Sequence, residues 1–170
     1  MFEKLSFAVR NGKSNLGRLA VAVSVMSLLT GCAISTPFPR LQNASADSGK
    51  QEVVLVLTRI VVDPQNRAEF DRQTSRVIGS MPTQPGLMGF SARRELFGKQ
   101  GWTMSVWASQ EARAQFVRSA VHQEAMAKSR SAIVTVELKR LTMPRDELPK
   151  NWTEAIQKLD EPGNLRNYWE

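Results

Sequence analysis

Residues 53–62 read VVLVLTRIVV, with β-branched side chains at seven of the ten positions. A run that is apolar on both alternating faces does not suit a half-solvated strand. It predicts a strand buried on both sides, near the centre of a sheet. The rest of the chain then has to supply apolar cover above and below it.

The segments that follow fall into order around this strand. Asp63-Pro64 offers a helix N-cap and a proline for the first helical position. Phe70, Val77, Ile78 and Met81 recur at helical spacing, and Pro82 and Pro85-Gly86 end the pattern. Residues 87–97 and 102–108 are strand candidates joined by Gly98-Lys99-Gln100-Gly101, an antiparallel hairpin. Ser109 caps a second helical region that runs to about Ser129, with Glu111 in its first turn. Residues 132–143 form a fourth strand, with Ala132, Val134, Val136 and Leu138 on one face. The order β-α-β-β-α-β predicts an α+β, ferredoxin-like domain over residues 52–143. Helices can cover only one face of such a sheet. The expectation is that a second copy covers the other, with two sheets back to back in a homodimer.

The net charge of +7 could suggest a nucleic-acid partner, but the charge is unevenly placed. Lys4, Arg10, Lys13 and Arg18 precede residues 19–29, LAVAVSVMSLL, which carry no charge. That stretch is shorter than the roughly 20 apolar residues a membrane span needs. It has the form of an export signal. Leu29-Thr30-Gly31-Cys32 follows it and resembles the bacterial lipobox. The resemblance implies that residues 1–31 are removed and that Cys32 is acylated. Acylation also accounts for an unpaired cysteine in an exported chain. At about 0.8 kcal/mol per buried CH₂, two or more acyl chains anchor stably. Ala33 stands where an inner-membrane retention signal would have Asp. The expected location is therefore the cell envelope, at the outer membrane and facing the periplasm in a Gram-negative cell. Removing the signal takes away four of the 23 bases and one of the 16 acids, leaving 19 against 15. These are interspersed, and no nucleic-acid partner is expected. Residues 33–51, which hold Pro37, Pro39, three serines and Gly49 and show no apolar period, are expected to be a flexible linker with a reach of about 25 Å.

One Cys and one His exclude an intrachain disulfide and a zinc site built from several such ligands. No phosphate loop or serine-nucleophile motif occurs, and no metal is expected.

Residues 102–126, WTMSVWASQEARAQFVRSAVHQEAM, resemble the antibiotic-biosynthesis-monooxygenase-like (ABM-like) family of dimeric α/β barrels. The carrying features are Val106-Trp107 at a strand end, Ser109 as a cap, Phe116 in the helix, and Ser119 followed by His122. The likeness extends over about residues 53–143. The tail from 144 to 170, with Leu148-Pro149-Lys150-Asn151-Trp152, Ala155 and Leu159, is similar to a branch with a short helix after the last strand. The resemblance implies a homodimer and a small hydrophobic or aromatic ligand. It implies either cofactor-free oxygenation of quinol-type molecules or haem degradation. Where haem-degrading members carry Asn, Trp and His, this chain has Thr58, Phe116 and Met126. Haem chemistry is disfavoured on that ground, and no cofactor is expected.

Against this background His122, the only imidazole, is the candidate base. The plainer reading is that it packs at the helix–sheet junction. Arg94 is the candidate oxyanion partner, with an exposed edge position or an ion pair as the alternative. Trp107 and Phe116 would form apolar walls, and Thr58 would orient a ligand. Trp102 and Trp107, five residues apart, point to opposite faces of one strand. The leading reading is a monooxygenase-like protein. The alternative is a non-catalytic envelope module that binds a small hydrophobic ligand or a protein.

Overall fold

The computed structural model describes residues 33–39, 51–163 and 165–167. The expected export signal and Cys32 lie outside the described residues, as do residues 40–50. Among the described residues no helix is long and apolar enough to cross a membrane.

Strand β1 (Ala33–Ser35) is followed by β2 (Glu52–Val62), helix α1 (Arg67–Ser80), β3 (Leu87–Glu95) and β4 (Gln100–Trp107). Helices α2 (Gln110–Arg118) and α3 (Ala120–Ser129) then lead to β5 (Ile133–Pro144), α4 (Trp152–Asp160) and β6 (Leu165–Asn167). The strands form one sheet in the order β1-β3-β4-β2-β5-β6, with every pair antiparallel. Strand β2 lies between β4 and β5, and its residues 53–57 are all buried. The four long strands and the helices between them have the ferredoxin-like connection predicted from the sequence.

Local chemistry explains most element boundaries. Asp63 accepts a hydrogen bond from the Gln65 amide at 3.0 Å, opening a 3₁₀ turn over Pro64–Asn66 that feeds α1. Ser109 caps α2 by accepting from the Ala112 amide at 3.2 Å. The single second helix expected from the sequence is instead two. Ser119 is extended (φ −64°, ψ 149°), and its hydroxyl accepts from the His122 amide at 3.4 Å. A serine that offers its side chain to the next turn competes with helix continuation, so it ends α2 and caps α3. The hairpin turn is residues 96–99, two positions earlier than expected, because Gln100 and Gly101 already pair with β2. Val134 does not join the buried face of β5. The β2–β5 register shifts between Val61 and Val62, skipping Val134 and leaving it exposed.

The sheet has two faces, each with its own core. Val54, Val56 and Trp107 point toward α1 and α2 and pack with Met81 and Phe116. Val53, Leu55 and Leu57 point the other way, with Met104, Val106 and Met143. Trp102 lies on this second side, so the two tryptophans of β4 do face opposite ways.

The second face corrects two expectations. It is covered by the chain's own ends, and not left for a partner: Leu148, Trp152, Ala155 and Leu159 pack directly on it. Helix α4 is strongly amphipathic for this purpose, with Trp152, Ala155 and Leu159 at i, i+3 and i+7. Residues 33–39 are part of the fold and not of a linker. Ala33–Ser35 pair with β3, Thr36 donates to the Ala92 carbonyl and bonds the Ser91 hydroxyl, and Phe38 meets Trp152 edge-on at 5.7 Å. Val53, Leu55 and Leu57 are at most 2% exposed in a single copy. The expectation of a back-to-back dimer rests on a bare second face, and within one copy this face is covered.

Two charged groups fasten α4 in place. Lys139 is 3% exposed, and its Nζ donates to the carbonyls of Lys158 (2.7 Å) and Glu161 (2.6 Å) at the end of the helix. A cation there satisfies orphan carbonyls and complements the helix dipole. Arg59 pairs with Glu137 at 2.8 Å and with Asp160. Among the described residues Glu95 makes no such pair and accepts from the Gln100 amide.

Candidate functional site

Between the first face of the sheet and α1–α3 lies a chamber of about 180 Å³. Alternation along the strands supplies its floor. Val56, Thr58 and Ile60 of β2 and Thr103, Ser105 and Trp107 of β4 all point the same way. Phe70, Val77 and Ile78 of α1 form one wall, so the helical spacing seen in the sequence is the face turned to the chamber. Phe116 of α2 and His122 and Met126 of α3 form the other.

The aromatic groups are ordered as a stack. Phe116 lies over Trp107 with centroids 5.2 Å apart and planes 28° apart. His122 meets Phe116 edge-on at 5.0 Å. Trp107 is 1% exposed, and its Nε1 donates to the Ser105 hydroxyl at 2.9 Å, which fixes the indole. His122 Nδ1 is buried and has no hydrogen-bond partner. Burial pushes the His122 imidazole below its usual 6.5, and the positive charge of Arg113 adds to this; the Val117 backbone works against both. Burial thus favours the neutral form of an imidazole whose Nδ1 is unpartnered.

Four of the five candidate residues for this chamber meet in it: Thr58, Trp107, Phe116 and His122. Arg94 does not. It lies in a side groove with Ile34, Asp71 and Ala92, on β3 between β1 and β4. That groove shares Ile60, Phe70, Thr74, Ile78 and Thr103 with the chamber, so the two adjoin. The cation that does line the chamber is Arg113. The signal for it was present, since Arg113 stands one turn before Phe116 and Val117 on the same helix face. Thr103, opposite Thr58 in the β2–β4 register, was likewise missed, and it adds a second threonine to the floor. Cys32 lies outside the described residues. Among the described residues no cluster of His, Cys, Asp and Glu could hold a metal ion.

The fold and site together define a class: a ferredoxin-like α+β domain with an apolar, aromatic-walled chamber between its sheet and its helices. The sequence profile of the antibiotic biosynthesis monooxygenase family matches residues 53–128, and that segment is a domain of this family. A Caulobacter crescentus structure carrying the same family name superposes with a TM-score of 0.50 and 16% identity, covering 61% of this chain and 96% of that one. SnoaB of Streptomyces nogalater, a cofactor-independent oxygenase, gives a TM-score of 0.48 and 21% identity, covering 58% and 99%. A Lactobacillus acidophilus structure gives 0.49 and 14% identity; 58% of this chain is covered, but only 50% of that one. Comparison with curated proteins gives no match. Family members are typically dimeric, whereas here the second sheet face is occupied by the chain's own ends.

Proposed function

We propose that the chamber binds a small electron-rich phenol or quinol and supports its oxygenation without a cofactor. The observation that carries this reading is the bare, buried Nδ1 of His122 beside the Phe116–Trp107 stack. A neutral imidazole in an apolar site accepts a proton from a ring hydroxyl, and the positive charge of Arg113 favours the phenolate that forms. The phenolate carries carbanion character at a ring carbon and passes electrons to oxygen. A carbon–oxygen bond forms there and the O–O bond breaks. One oxygen becomes the quinone carbonyl, the other leaves as water with the two protons lost from the substrate, and the substrate supplies all the electrons.

Size narrows the ligand. An apolar cavity of about 150 Å³ holds benzene, so a chamber of about 180 Å³ takes one ring with its substituents. The test is oxygen uptake with a panel of single-ring and three-ring phenols. The reading expects uptake on single-ring substrates and at least a 100-fold loss in His122→Ala. Equal rates in both proteins, or none above buffer, would refute it.

A second reading, a non-catalytic binding module, is favoured by the single imidazole and the lack of a carboxylate among the described residues that line the chamber. It expects tight binding of the same ring compounds with no oxygen uptake.

The same proposal places the domain in the cell envelope, anchored through acylated Cys32. Its support is the sequence of residues 19–32. Labelled palmitate should enter the wild-type chain and not Cys32→Ser.

A further inference from the structure

The largest exposed apolar side chains among the described residues include Phe97 (79%), Ile34 (47%) and Leu96 (41%). These three belong to one corner of the fold. Leu96 and Phe97 form the tip of the β3–β4 hairpin, and Ile34 lies beside it on β1, opposite Arg94 of β3. The first residue of β1, Ala33, is paired with Glu95. Ala33 is the residue bonded to Cys32, and its partner Glu95 directly precedes Leu96 in the chain. An acyl group on Cys32 is therefore joined to the fold through a residue of β1, and not through a long spacer.

The charges of the corner fit an anionic surface. Residues 93–99 carry Arg93, Arg94 and Lys99 against a single acid, Glu95. The Glu95 carboxylate is folded back into the turn, where it accepts from the Gln100 amide and fills the space against Gly98. The tip itself is braced: Arg67 Nη1 donates to the Gly98 carbonyl at 2.6 Å, and the Val62 amide donates to the Lys99 carbonyl at 2.9 Å. A braced apolar tip flanked in sequence by Arg93, Arg94 and Lys99, with Asp71 of the adjoining groove paired to Arg67, suits the headgroup–acyl boundary of a bilayer.

We propose that Phe97, Leu96 and Ile34 form a membrane-docking corner, so that the domain rests on the bilayer instead of standing off it on a tether. The proposal builds on the acylation reading, and its test separates the two. Phe97→Cys and, as a control on the outer surface of α2, Gln115→Cys are made in the full chain and labelled with a polarity-sensitive dye. Both proteins are placed in vesicles of phosphatidylcholine with one quarter phosphatidylglycerol, some carrying spin-labelled acyl chains that quench the dye. Mass spectrometry of the peptide containing Cys32 reports acylation independently.

Docking predicts at least threefold stronger quenching at residue 97 than at residue 115, and a dye emission shifted to the blue at 97 alone. Equal quenching at both sites, with Cys32 acylated, overturns the proposal. Repeating both labels in a Cys32→Ser background, which has no second thiol and no acylation site, separates the readings: strong quenching at 97 there leaves the docking corner in place without the lipid. If quenching is equal and light scattering finds that Phe97→Ser converts a dimer into single copies, the corner belongs to a second copy of the chain, and the proposal fails.

Discussion

The imidazole of His122 stands edge-on to the ring of Phe116, with centroids 5.0 Å apart, so the chain's one histidine is held against an aromatic wall with Nδ1 unpartnered. The contact depends on the break at Ser119. Because Ser119 ends α2 and caps α3, His122 lies in the first turn of a new helix, within reach of a residue six positions earlier.

Burial of His122 makes stability depend on pH. Its folded-state affinity for a proton is below the ordinary one, so the unfolded chain binds more protons between the lowered value and about 6.5. Stability is then lost as pH falls through 6.5 and levels off below the lowered value. Urea unfolding at pH 7.5 and 5.5 should give a lower midpoint at the acid pH. His122→Phe should reduce the difference.

Phe116 is the middle of the stack, packed on Trp107 and touching His122. Phe116→Ala opens the wall and removes a partly buried ring, at a cost of about 2–4 kcal/mol. Denaturant unfolding measures that loss. Ring-compound affinity should fall together with stability, since the same contact serves both.

Gly86 has φ +72°, and a Cβ there would lie 2.5 Å from the Ala112 side chain. Its carbonyl also accepts from the Ala108 amide at 2.8 Å, tying the start of β3 to the end of β4. Gly86→Ala meets both a left-handed backbone and a neighbouring helix, and should cost about 1–3 kcal/mol in a thermal or denaturant melt.

Helix α4 covers the second sheet face. Trp152 is 7% exposed and packs in the same core as Val53 and Leu55. Trp152→Ala should cost about 3–5 kcal/mol. Stopping the chain after Pro144 should expose Leu55, Leu57 and Met104 together and drive self-association. Light scattering on the full and shortened chains distinguishes this cover from a dispensable tail, for which the two would behave alike.

The sequence predicted much of this architecture and misplaced specific pieces for physical reasons. The β2 run, the α1 face and the hairpin rest on alternation and helical spacing, which read directly from residue order. The α2–α3 break was hidden because Ser119 sits in an otherwise helical pattern, and only its side chain's bond to the next turn decides the matter. Residues 33–39 have a linker's composition, yet they are held by pairing with β3 and by the Phe38–Trp152 contact, both far away in sequence. The same distance concealed the cover of the second face, because Trp152, Ala155 and Leu159 reveal an apolar face but not what it packs on. In the site, His122, Trp107, Phe116 and Thr58 were legible. Arg94, the expected oxyanion partner, lies on β3 beyond β4 and so belongs to the side groove, because sheet order is not readable from residue order.

The most direct test of the account is the proton titration of the imidazole in tag-free protein. The chain has a single histidine, so one ring resonance reports His122 without assignment. The account predicts a midpoint clearly below 6.5 for the free protein, and a displaced ring signal when a single-ring phenol is added at neutral pH. A midpoint at or above 6.5, with a signal indifferent to added phenol, would contradict a buried neutral base facing a ligand chamber.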